Sequence, residues 1–256
     1  AGTSSALQYH ALDPHARMLA VDIMSEEKWR SLLPEHLRND TRIVYQEADL
    51  ENFSRDQYES WLEKHLQCSP DAVHHCHASP PCETLSIASR FKEIVPHWLG
   101  GEPNSDIAKK HMRMLSNVLS TLQQCHPLHG HTCLTLENPI GRFRKLRCVR
   151  KLINEYGWVE HSADHCMFAS HLDADPLFPR KPTTWLTKNL RTDLCAPTCD
   201  GTQCSCRVDG TKCHKRVVCR PPSWRPLIDG QSVVPDDPHK ARIPLGAFHF
   251  FLTGEM

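Results

Sequence analysis

Short apolar runs, each broken off by a chemically reactive side chain, alternate in this chain with segments of helical period. Arg17 to Ile23 (RMLAVDI) reads as a buried strand ending in Asp22, and Glu26 to Leu33 as a helix. Thr41 to Tyr45 is a second strand, followed by Asp49. Asp56 to Leu66 fits a helix with Trp61, Leu62 and Leu66 on one face. Asp71 to Cys76 is a third strand, running into Ser79-Pro80-Pro81-Cys82. Two prolines exclude helix and central strand there, which leaves a stiff loop. From Ser105 to Gln124, Ile107, His111, Met114, Leu115, Val118, Leu119 and Leu122 repeat at helical spacing behind a capping Asn104 or Ser105. Thr132 to Leu136 is the next strand and leads into Glu137-Asn138-Pro139. Phe143 to Tyr156 is predicted as a helix stopped at Gly157, and Trp158 to Phe168 as two short strands.

Such alternation predicts an α/β domain, a mostly parallel sheet with helices on both faces. Ligands of these sheets sit beyond the carboxyl ends of the strands, where Asp22, Asp49, Cys82 and Glu137 are all expected. A length of 256 residues supports one sizeable core. Thirty basic residues balance thirty acidic ones, which excludes a generic polyanion binder and leaves only local patches. One patch holds Arg142, Arg144, Lys145, Arg147, Arg150 and Lys151; another runs from Lys212 to Arg225. No apolar run is long enough for a membrane helix, and no signal peptide is visible. The opening Ala1-Gly2-Thr3-Ser4-Ser5 looks like the middle of a motif, so the chain is expected to be part of a longer protein.

Each candidate residue has a plain reading beside the chemical one. Cys82, rigidly held after Pro-Pro, is either a nucleophile needing a lowered pKa or a buried structural thiol. A helix from Thr84 to Phe91 would favour the thiolate. Glu137, where a strand emerges, can act on a ring nitrogen or simply cap a turn before Gly141. Asp22 and Asp49 suit the ribose hydroxyls and base amine of a nucleoside, or are solvated turn residues. Gly2, Thr3 and Ser4 can be the tail of a glycine loop about twenty residues before Asp22. His74, His75 and His77 are assigned no role, and His126, His129 and His131 are read as surface residues.

After Arg180 the texture changes: proline, cysteine and glycine become dense and helical period vanishes. Thirteen cysteines are present, six of them between Cys195 and Cys219, spaced C-x3-C-x4-C-x-C-x6-C-H-x4-C with His214. Uneven spacing and an odd count argue against a secreted disulfide scaffold and for a reducing compartment, nuclear, cytoplasmic or virus-associated. Thiolates with a histidine suit tetrahedral zinc in a segment too poor in apolar residues to hold itself. Cys195, Cys199, Cys213 and His214 are the first choice of ligands and Cys204, Cys206 and Cys219 the alternates, with disulfides or reduced thiols as the other reading.

Taken in order, these motifs resemble the cytosine-5 DNA methyltransferases, in the short forms of phages and large viruses. Ala1-Gly2-Thr3 looks like the cofactor loop, Ala20-Val21-Asp22 the ribose motif and Ala48-Asp49 the adenine-side motif. Ser79-Pro80-Pro81-Cys82 is similar to the nucleophile loop and Leu136-Glu137-Asn138-Pro139 to the glutamate motif. Phe178-Pro179-Arg180-Lys181-Pro182-Thr183, with Trp185 and Asn189 after it, resembles the late arginine motif, and Arg242-Ile243-Pro244 the last stretch. The sequence departs from that pattern at Glu83, where the family usually has Gln, and at Pro139, where Val is common. It carries one arginine in the late motif, and the family's first strand would precede Ala1.

The resemblance implies a Rossmann-like methyltransferase core over 1–181 lacking its first strand. It also implies a Cys-rich, target-recognition-like subdomain over 182–240 and a C-terminal segment over 241–256 returning to the core. It implies S-adenosylmethionine as cofactor, held by Gly2, Thr3, Ser4, Asp22, Ile23, Asp49, Leu50 and Pro80. Cys82 would attack carbon 6 of a cytosine flipped out of double-stranded DNA. Glu137 would act at nitrogen 3, Arg180 would orient the base and Asn138 would brace the loop, in a monomer. RNA remains open as substrate. An amino-group methyltransferase, in which an aromatic residue would replace Cys82, and an inactive zinc-containing DNA-binding relic are the competing readings.

Overall fold

The computed structural model describes residues 15–33, 35–86, 97–127, 130–168, 181–190, 196–200, 204–206 and 208, with isolated positions at 216–217, 232–233, 247 and 250. In chain order the elements are β1 (Met18–Asp22), α1 (Glu26–Ser31), α2 (Glu35–Arg38), β2 (Ile43–Glu47), α3 (Arg55–Leu66) and β3 (His75–Ala78). The hairpin β4 (Trp98–Leu99) and β5 (Glu102–Pro103) precedes the long helix α4 (Asp106–Cys125). Then come β6 (Cys133–Pro139), α5 (Arg147–Glu155), β7 (Val159–Asp164) and β8 (Pro182–Lys188).

The main sheet has the order β3-β6-β8-β7. β3 is parallel to β6, while β8 runs antiparallel to both β6 and β7. Among the described strands β3, β6 and β7 therefore run the same way and β8 alone is reversed, so the expected α/β sheet is present as a mixed one. A separate parallel pair, β1 with β2, is joined to it through helix α3. Leu19 of β1 and Cys76 of β3 both pack on a cluster built around Tyr58 and Leu62 of that helix.

Local chemistry accounts for the elements. Ser54 and Gln57 form a reciprocal capping box at the start of α3, and the Ser105 hydroxyl caps α4 by accepting from the Ala108 amide. Leu115, Val118, Leu119 and Leu122 of α4 lie on the main core with Leu134, Leu136 and Leu186 of the sheet and Val149 and Leu152 of α5. Trp29 of α1 lies on Tyr45 of β2, with ring centroids 4.7 Å apart, in a second core that also holds Leu33, Leu37 and Ile43.

Several expected boundaries move. The helix expected over Phe143 to Tyr156 splits into a 3-10 turn (Phe143–Lys145) and α5. Trp158 to Phe168 is one strand followed by a 3-10 turn (His165–Phe168), not two strands. Residues 84–86 form a turn and an isolated bridge, Ser86 to Gly141, where a helix was expected, and 87–91 lie outside the described residues. Pro182–Lys188 belongs to the main sheet with a neighbour on each side, so the irregular segment begins only after it. Its pattern hid this: a strand covered on both faces carries no polar alternation. Near the C-terminus, Ala247 and Phe250 pack on Phe168 and Trp185.

Candidate active site

The carboxyl ends of β3, β6 and β7 and the amino end of β8 share one rim. Register fixes what meets there. Ala78 pairs with Leu136, Pro139 with Thr183 and Asp164 with Pro182. Glu137 therefore stands beside Ser79, the residue that opens the Pro-Pro-Cys loop. It lies inside β6 opposite Trp185, rather than beyond the strand end as expected. Strand alternation puts Leu134 and Leu136 into the helical core and turns Thr135 and Glu137 to the opposite face.

Glu137 is 4 % exposed and, among the described residues, three groups surround its carboxylate. The Lys181 ammonium donates to Oε1 at 3.3 Å, the Ser79 hydroxyl donates to Oε2 at 3.3 Å, and Nε2 of His165 stands 3.6 Å from Oε1. Burial alone would push the carboxyl pKa up. Lys181 and His165 override it and hold the value at about 2, so Glu137 is an anion at neutral pH.

Behind Glu137 runs a chain of hydrogen bonds whose direction follows from its end. Ser79 must donate to the carboxylate, so it accepts from Nε2 of His77 (2.8 Å). Nδ1 of His77 then accepts from Thr135 (2.9 Å), which in turn accepts from Nε2 of His75 (2.9 Å). This requires a neutral His77, whereas His75 can donate from Nε2 in either state. Burial depresses His77 to about 4, in agreement with that requirement, and His75 to about 3, so both rings are neutral at pH 7.

Cys82 is half-buried, and its carbonyl accepts from the amides of Leu85 and Ser86. Its loop is tied down on two sides. Asn138, fully buried in β6, donates from Nδ2 to the Pro80 carbonyl at 3.0 Å. The Trp98 indole donates to the Thr84 carbonyl at 2.7 Å, and the Arg142 amide to Leu85 at 2.7 Å. Burial pushes the Cys82 thiol up; the Lys181 cation pulls it down and Glu137 pushes it up, with a net upward shift. At rest the rim thus presents a thiol and a carboxylate, with one lysine acting on both.

The other expected site residues are less uniform. Asp22 closes β1, accepts the Met24 amide at 3.1 Å and has the exposed Ile23 beside it. A carboxylate beside an open apolar side chain at a strand's carboxyl end fits a nucleoside ribose. Asp49 fits the base amine less well. Its Oδ2 holds Lys110 at 2.6 Å and its Oδ1 accepts the Glu51 amide at 3.0 Å, contacts that hold it below its usual pKa. Leu50 packs on the main core. Gly2, Thr3, Ser4, Arg180, Cys195, Cys213, His214 and Cys219 lie outside the described residues. In the first basic patch, Arg144 and Arg150 face Glu160 at 3.9 and 3.6 Å, and Arg142 lies over the Trp98 ring at 4.7 Å.

Sequence reasoning missed Lys181, Ser79, His77 and His165 as partners of Glu137. The adjacent positions of Lys181 and Arg180 drew attention to the arginine, and only strand register reveals that Ser79 flanks Glu137. It also missed Cys166. The ligand atoms of Cys166, Cys199 and Cys204 lie within 4.8 Å of one another, and all three residues are buried. None of the ten described cysteines is in a disulfide. No described helix is long and apolar enough to cross a membrane.

These features define an α/β protein with a mixed sheet and a thiol–carboxylate rim. Comparison with known proteins adds little to that. No protein-family model matches the chain and no curated protein does. Nine solved chains match. One is the Dnmt2 methyltransferase of S. pombe, at 11 % identity and a TM-score of 0.43, covering 77 % of this chain and 49 % of that one. The chain thus spans about half the length of that protein.

Proposed function

We propose that this chain is the catalytic region of a cytosine-5 DNA methyltransferase, with Cys82 as nucleophile and Glu137 as its partner. One observation carries the reading. Strand register sets Glu137 against the loop that carries Cys82, with Lys181 acting electrostatically on both. The motif order through Ser79-Pro80-Pro81-Cys82 and Leu136-Glu137-Asn138-Pro139 supports it.

The target cytosine must leave the helix stack to reach such a rim. Sulfur of Cys82 bonds to carbon 6, and electron density moves onto ring nitrogen 3. The thiol proton passes through Glu137 to that nitrogen, so the net charge of the site is unchanged. Lys181 stabilises Glu137 as an anion until that proton arrives. S-adenosylmethionine, when bound, supplies the methyl group to carbon 5. The carbon-5 proton then leaves to a base, the sulfur–carbon-6 bond breaks, and the nitrogen-3 proton returns through Glu137 to the expelled thiolate. Asn138 holds the loop, and Arg180 orients the base. Asp22 and Ile23 are the described residues that suit the cofactor's ribose; Asp49 would have to share its carboxylate with Lys110.

The test uses the full chain, wild type and Cys82→Ser. We expect methyl transfer from labelled cofactor to cytosine-containing DNA and covalent trapping on 5-fluorocytosine DNA, both abolished by the substitution. RNA of the same sequence is run in parallel, and transfer to it alone would reassign the substrate. Transfer that survives Cys82→Ser points to an amino-group methyltransferase. Absence of transfer and trapping by the wild type overturns the enzymatic reading in favour of a binding relic.

A further inference from the structure

Cys166 follows β7 in the 3-10 turn His165–Phe168, whereas Cys199 and Cys204 belong to the Cys-rich segment more than thirty residues later. Their three sulfurs nevertheless converge, each within 4.8 Å of the other two. Around them the described residues form a small core of four cysteines, Cys206 being the fourth, with Met167 as the one partly buried hydrophobic side chain packed on it. Sulfur takes the place of the aliphatic and aromatic groups that fill the other cores. A disulfide would use two of three mutually adjacent sulfurs and strand the third. A tetrahedral zinc ion with bonds of about 2.3 Å sets its sulfurs ~3.8 Å apart, so a contraction of at most about 1 Å would bring these to that spacing.

The surroundings are those of a metal knuckle. The Cys206 amide donates to Sγ of Cys204 at 3.3 Å, the kind of N–H···S bond that steadies a thiolate ligand. The Cys204 and Cys206 sulfurs approach the same Cys166 carbonyl, at 3.7 and 3.9 Å. Asp164 closes the arrangement from β7. Its Oδ2 accepts the Cys199 amide at 2.7 Å and its own amide donates to the Pro197 carbonyl at 3.1 Å.

We propose that Cys166, Cys199 and Cys204, with Cys206 as fourth donor, bind a structural zinc ion that fastens the Cys-rich segment to the end of β7. The inference does not depend on the methyl-transfer reading. It has a consequence for the rim, because His165, which faces Glu137, is joined by one peptide bond to the Cys166 ligand. Metal binding at Cys166 therefore fixes the backbone that positions His165.

The full chain, purified under reducing conditions, is expected to contain one zinc per chain by elemental analysis. After exchange, Co2+ should give the sulfur-to-cobalt charge-transfer absorption and strong visible bands of a tetrahedral thiolate site. Cys166→Ser should weaken zinc binding at least 100-fold in a chelator competition, whereas Cys148→Ser on α5 should leave it unchanged. Should Cys166→Ser fail to fold, the wild-type protein decides. Alkylation followed by mass spectrometry should find Cys166, Cys199, Cys204 and Cys206 protected with metal and modified after chelation, while Cys148 reacts equally in both states. Substoichiometric zinc with no cobalt spectrum, full affinity in Cys166→Ser, or labelling of the four cysteines that ignores the metal would each overturn the proposal.

Discussion

Replacing Lys181 by Met isolates the interaction on which the rim is built. The Lys181 ammonium lies 3.3 Å from Oε1 of Glu137, and the two side chains are 18 % and 5 % exposed. At an effective dielectric of about 20, charges at that distance attract by roughly 5 kcal/mol. Part of this offsets the desolvation of both groups, so the intact pair adds little to stability. Removing one partner is different, because it leaves a carboxylate buried without its cation, at a cost of about 3–5 kcal/mol. The Glu137 pKa should rise at the same time from its present value of about 2, since burial, which raises it, would meet less opposition. Urea denaturation at pH 7 should show Lys181→Met destabilised by that amount, and the loss should shrink as the pH approaches 4, where the freed carboxyl can protonate. The double variant with Glu137→Gln should recover most of the loss at pH 7. A loss below about 1 kcal/mol, or one that the Gln substitution does not relieve, would show that Lys181 is not what keeps Glu137 ionised.

Two further outcomes follow from burial. His75 and His77 bind protons more weakly folded than unfolded, their values falling from 6.5 to about 3 and about 4. Stability is therefore fully present above pH 6.5 and lost as the pH falls toward those values, by up to about 1.4 kcal/mol per pH unit for each histidine. Urea midpoints at pH 7 and pH 5 measure this, and equal midpoints would contradict the neutral hydrogen-bonded chain. In the helical core, Leu134→Ala should cost about 2–5 kcal/mol, against less than about 0.5 kcal/mol for Leu99→Ala on the exposed hairpin, as read by thermal or urea unfolding.

The elements easiest to read were those whose periodicity is set by one buried face. Helix α4, with Leu115, Val118, Leu119 and Leu122 at helical spacing, was expected from Ser105 to Gln124 and runs Asp106–Cys125 behind the Ser105 cap. β8 was illegible because its Thr-Thr-Trp-Leu-Thr is covered on both faces, so nothing in the pattern separated it from the irregular segment that follows. Glu137 stands out by its neighbours in sequence, yet its anionic state depends on Lys181, forty-four positions away, and on His165. Local spacing puts Cys199 in the first-choice ligand set and Cys204 among the alternates but says nothing of Cys166, whose proximity to them exists only after β7 docks against the Cys-rich segment.

The sequence alone determined that strands and helices would alternate, that Pro80 and Pro81 would stiffen the Cys82 loop, and that a cysteine-rich stretch would follow the core. Those properties are local: backbone geometry and side-chain period are written over a few consecutive residues. Tertiary structure decided the reversal of β8, the ionisation of Glu137, the neutrality of His75 and His77 and the meeting of Cys166 with Cys199 and Cys204. Each of these is set by the burial and distance of groups remote in the chain, and a linear order of residues carries neither quantity.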